Sequence, residues 1–108
     1  MLKAPEHLHP NTAKWWLMVQ EEYELEEHHL RLLTLAAEAW DRGQQARSAL
    51  DEHGLTYLDR NNSPKTRPEV AIERDCRIGF ARLVRELDLD MGNPNEHRPP
   101  ALKSNRRG

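Results

Sequence analysis

From Pro10 onward the apolar residues return at steps of three and four. Ala13, Trp16, Val19 and Tyr23 fall on one face, which predicts a helix over residues 10–23. It opens on a proline, whose missing N–H is not needed at a first helical position. Trp15 stands off that face and is expected to meet a neighbouring chain. A second, longer helix is predicted over residues 26–53. Leu25, His29, Leu32, Ala36, Ala39, Gly43, Ala46 and Leu50 form a seven-residue pattern along it, and Leu33 and Trp40 widen the stripe. Small residues (Ala36, Ala39, Gly43, Ala46) fill its middle and would let another helix approach closely. A glycine inside a helix costs about 1 kcal/mol, so Gly43 implies a packing reason. Gly54 follows as a natural stop.

Leu55-Thr56-Tyr57-Leu58 is β-prone and residues 59–64 are a turn cluster, which together predict one small hairpin or an extended connector. A third helix is predicted from about Arg67-Pro68-Glu69 to Leu87. Ile72, Cys76, Gly79, Phe80, Leu83 and Leu87 share one stripe of it, and Arg74, Arg77, Arg82 and Arg85 lie on the opposite side. Glu69, Glu73 and Asp75 near its start and Arg82 and Arg85 near its end suit the helix dipole. Beyond Asp90 the chain is poor in apolar residues and rich in Pro and Asn, which predicts a flexible tail. The expected organisation is a lead-in over residues 1–9, a helical domain over 10–90 and a basic tail over 91–108. The fold class is all-α: a three-helix protomer with a short β-prone connector.

Composition narrows this picture. A chain of 108 residues implies one domain, and 37% apolar with 31% charged residues implies a modest core. Units this small often gain stability by oligomerising. No apolar run approaches the ~18 residues that span a bilayer, so no membrane association is expected. The single Cys excludes an internal disulfide and fits a reducing compartment. The net charge of −2 hides an asymmetry: residues 1–53 hold five Lys/Arg against ten Asp/Glu, and residues 54–108 hold eleven against eight. An acidic front and a basic end suggest self-association or a polyanionic partner.

Candidate chemistry is sparse. Glu24, His28 and His29 cluster, but there is no HExxH and no Cys/His pairing at zinc spacing, and His29 on the apolar stripe reads as a packed histidine. Cys76 sits on an apolar helix face, where a thiol is inert. The carboxylate pairs Glu21-Glu22, Glu26-Glu27 and Asp51-Glu52 read as solvated helix faces, and no Gly-rich phosphate loop or GxSxG occurs. No catalytic, cofactor-binding or metal-ligating residue is assigned, and a non-enzyme is expected. The third helix's arginines are expected to pair with acids on a neighbouring helix or subunit rather than with phosphates. Arg98, Lys103, Arg106 and Arg107 in the tail, with Lys65 and Arg67 beside the turn, are the candidate DNA contacts, on charge alone.

The order of short segments carries a resemblance. Ala4-Pro5-Glu6-His7-Leu8, Trp16 to Tyr23-Glu24-Leu25, Leu32-Leu33-Thr34, Glu38-Ala39-Trp40-Asp41-Arg42 and Ala46-Arg47 come first. Gly54-Leu55-Thr56-Tyr57, Pro64-Lys65, Arg67-Pro68-Glu69, Ala71-Ile72-Glu73-Arg74-Asp75, Phe80-Ala81-Arg82-Leu83 and Arg85-Glu86-Leu87-Asp88-Leu89-Asp90 follow. Over residues 4–90 the chain resembles the bacteriophage terminase small subunits of the short helical type. Where such subunits show a glycine-containing turn, this chain has Asn62-Ser63. The resemblance implies a ring-forming homo-oligomer in the host cytoplasm. Such a protein recognises double-stranded viral DNA and delivers it to a large subunit that holds the ATPase and nuclease. Trp15, Ala36, Ala39, Gly43, Ala46, Arg74, Arg77 and Arg85 are the candidate subunit contacts. The alternatives are a helical DNA-binding transcription regulator, against which the long connector over residues 54–67 argues, and a non-enzymatic interaction module.

Overall fold

A computed structural model describes residues 3–89. The elements are α1 (Pro10–Glu22), α2 (Glu27–His53), β1 (Thr56–Leu58), β2 (Pro64–Thr66) and α3 (Pro68–Glu86). Each predicted helix is present within a residue or two of its expected ends. The predicted flexible tail lies outside the described residues.

Each helix start has a local cause. His9 caps α1 through its ring Nδ1, which accepts the Asn11 backbone N–H at 3.2 Å, and Pro10 takes the first position. The α2 start is a capping box in which Glu26 and His29 each accept the other's backbone N–H. That corrects the expectation of a core-packed His29: its ring is half-buried and serves the helix start. Gly54, at φ 86°, ends α2 in a backbone region open to glycine, and its N–H donates to the Leu50 carbonyl.

The two strands form an antiparallel hairpin in the register Thr56↔Thr66, Tyr57↔Lys65, Leu58↔Pro64. It returns the chain so that α3 runs back along α2. Trp40 meets Phe80 at a ring distance of 5.1 Å and Gly43 faces Cys76, so rising numbers on α2 face falling numbers on α3. The helices are antiparallel.

The core sits where α1, the first half of α2 and the end of α3 converge. Leu8, Trp16, Val19, Leu33, Ala37 and Leu87 form it, and Leu33 is 0% exposed. The seven-residue stripe predicted for α2 placed Leu33 at its margin. In the structure α2 is packed on two sides, by α1 and by α3, so its buried surface is wider than one seam and takes in Leu33 and Ala37. The lead-in is tied down as well. Leu8 is in the core, His7 Nε2 lies 2.8 Å from Glu38, and Asp41 accepts both the His9 backbone N–H at 2.8 Å and the Thr12 hydroxyl at 2.5 Å. Trp16 is buried, and its indole N–H donates to the Thr34 hydroxyl at 3.2 Å.

Candidate nucleic-acid interface

The hairpin is built differently from the helices. None of its six strand residues is buried. What holds it is polar and local. The Asp59 side chain accepts the backbone N–H groups of Asn61 (2.8 Å) and Ser63 (2.9 Å), and the Arg67 N–H closes the base on the Leu55 carbonyl (2.9 Å). Asn62 takes φ 64°, a left-handed conformation that asparagine tolerates better than most residues. It fills a position that would otherwise suit glycine, so Asn62-Ser63 still forms a well-defined turn.

Pairing decides the faces. Tyr57 and Lys65 are directly opposite, so Leu55, Tyr57, Lys65 and Arg67 share one face, and Thr56, Leu58, Pro64 and Thr66 share the other. On the first, the Arg67 guanidinium lies 5.9 Å from the Tyr57 ring centroid, and Lys65 Nζ lies 3.9 Å from Asp59. The structure therefore brings together the two predicted contacts that lie within it, Lys65 and Arg67. Arg67 Nε and the neighbouring Glu69 Oε1 are covered and have no hydrogen-bond partner among the described residues. Arg98, Lys103, Arg106 and Arg107 lie outside those residues.

The other predicted contacts divide. Gly43 faces α3 of its own protomer, and a Cβ built on it would lie 3.2 Å from the Cys76 Cβ. Ala36 and Ala46 are buried within the protomer, and Ala39 lines a groove with Gly43, Cys76 and Phe80. The helix that the small residues admit is thus α3. Trp15, expected off the α1 stripe, rests on Phe80 of the same protomer with centroids 5.6 Å apart. It also lines a cleft of about 370 Å³ with Asn11, Thr12, Trp40 and Phe80, and Trp40 is 46% exposed. Arg74, Arg77 and Arg85 are exposed on α3, as is Arg82. Within the protomer Arg77 pairs with Glu73 (3.2 Å) and Arg74 with Asp75 (3.4 Å), both acids of their own helix. Exposed ion pairs of this kind contribute little to stability. Ile72 and Ile78 stand exposed on the same helix.

Sequence reading passed over the tip, Arg60-Asn61-Asn62, which it saw only as a turn. All three are exposed. The available signal was their position between two β-prone runs.

The family model described as the phage terminase small subunit matches residues 13–94. The chain belongs to this family. The match covers α1 from Ala13 onward, and all of α2, the hairpin and α3. No curated protein and no solved structure matches the chain. Among the described residues, no helix is long and apolar enough to cross a membrane, and no group of three or more His, Cys, Asp or Glu side chains could hold a metal ion.

Proposed function

We propose that this chain is the non-catalytic DNA-recognition component of a phage packaging machine. Copies of it form a ring, hold double-stranded viral DNA and hand it to the large terminase subunit, which carries the ATPase and nuclease, in the host cytoplasm. The observation that carries this reading is the family match over residues 13–94. The physical mechanism is pooled electrostatic capture. Each protomer supplies a few cations, Lys65 and Arg67 on the hairpin and Arg98, Lys103, Arg106 and Arg107 in the tail. A ring multiplies weak contacts into a firm, salt-sensitive grip. The surfaces left for ring contacts are the Trp15–Trp40–Phe80 cleft and the outer face of α3 with Ile72, Ile78 and its arginines.

The test is binding of the purified chain to duplex DNA across a salt series, with native mass measured alongside. Affinity should fall steeply with salt, with a slope of about 0.9 for each phosphate neutralised. Deleting residues 91–108 should weaken binding and flatten that slope. If the deletion spares DNA but abolishes capture of the large subunit, the tail is the docking segment instead. A strictly monomeric chain indifferent to DNA would overturn the proposal.

A further inference from the structure

Electrostatic capture explains holding but not choosing, because phosphates carry no sequence information. Resting on the DNA-binding reading above, we propose that the β1–β2 hairpin is a two-stranded ribbon that enters the DNA major groove, with Arg60, Asn61 and Asn62 at its tip reading base edges.

Four observations converge on this. First, shape: two antiparallel strands lie about 4.8 Å apart, and the major groove, about 12 Å wide, admits such a ribbon. Both faces and the tip of this one are open, with Leu58 63% and Leu55 62% exposed. Second, charge: residues 55–67 hold Arg60, Lys65 and Arg67 against Asp59 alone, a net +2 on a chain whose total is −2. The Asp59 carboxylate is occupied by two turn N–H groups and lies near Lys65, which blunts its repulsion of phosphates. Third, hydrogen-bonding chemistry: arginine fits the two major-groove acceptors of guanine, and asparagine fits the acceptor and donor of adenine. Fourth, the ribbon's uncharged face presents Thr56, Leu58, Pro64 and Thr66, whose apolar groups are of the kind that meet thymine methyls.

The turn is also preorganised. Asp59 and the left-handed Asn62 fix the tip without any help from a partner, so little ordering is left for the moment of contact. Arg67 stands at the ribbon's base and Lys65 midway along it, behind the tip, where they can grip the flanking backbone while the tip reads.

The experiment uses the full chain and a pool of 40-bp duplexes with a randomised centre. The wild type should enrich a preferred sequence. The combined variant Arg60→Ala, Asn61→Ala, Asn62→Gly keeps Asp59 and supplies a residue at ease at positive φ. It should lose at least about tenfold in preference for that sequence, the order of one good base contact. Its melting temperature, native mass and affinity for unselected duplex at low salt should stay close to wild type. Replacing the selected purines with their 7-deaza analogues, which lack only a major-groove acceptor, should weaken wild-type binding as well. An unchanged preference in the variant, or indifference to the analogues, overturns the inference. So does a fall in native mass, which would make the ribbon a contact between copies. A wild type that binds DNA without preference sinks this inference and leaves the proposed function standing. A wild type that binds no DNA sinks both.

Discussion

The two ends of α2 belong to different kinds of surface. At its start, α1, the Leu8 lead-in and the end of α3 close around Leu33 and Ala37, and polar ties from Asp41 and Glu38 fasten the chain before Pro10. At its finish stands a hairpin with no buried residue, held by the hydrogen bonds of one aspartate and a short ladder. Apolar burial supplies most of the driving force for folding, so the first end anchors the fold and the second is carried by it. A ribbon held this way is available for contact and contributes little to stability.

That contrast can be broken most directly with one substitution placed at both ends. Leu33→Ala removes a fully covered side chain and should cost about 2–5 kcal/mol in denaturant unfolding. Leu58→Ala makes the same chemical change on the hairpin and should stay within about 0.5 kcal/mol of wild type. Equal losses at the two positions would mean that the ribbon is part of the folding unit. The α2–α3 seam falls between these extremes. Gly43→Leu pushes a side chain against Cys76 and should cost about 1–3 kcal/mol, seen as a lower melting temperature. A normal melting temperature would show that the seam has slack. Gly79 on α3 has no atom within 4 Å of where a Cβ would sit, so Gly79→Ala should raise stability by about 0.5–1 kcal/mol, the smallest real change expected. A loss there would reveal an unseen neighbour.

The elements were legible in the sequence because their causes are local. Pro10, Pro68 and Gly54 mark ends through backbone constraints that act wherever they occur. The stripe of α1 follows from periodicity, and that of α3 in part: Cys76 and Phe80 meet α2, whereas Ile72 is exposed and Gly79 faces open space. Burial on α2 was less legible, since a heptad describes one partner and α2 has two. The role of His29 was hidden too: a half-polar ring at an apolar spacing fits a cap as well as a core. Gly43 was read as implying close packing, and the helix it admits is α3 of the same chain. Charge alone picked out Lys65 and Arg67, which the hairpin register then placed on one face. It says nothing of Asn61 and Asn62, which are uncharged, and the tip position they share with Arg60 comes only from the hairpin register.

The five residues from Asp59 to Ser63 have an uneven freedom to vary. Asp59 must stay for the turn to hold, and position 62 must suit a left-handed backbone. Asn61 is tied to the turn through its backbone N–H, and no hydrogen bond of the turn uses the side chain of residue 60 or 61, so almost any side chain can be installed there without the helices noticing. A lineage of such proteins can therefore retune what its tip meets, one residue at a time, without first having to repair the scaffold behind it.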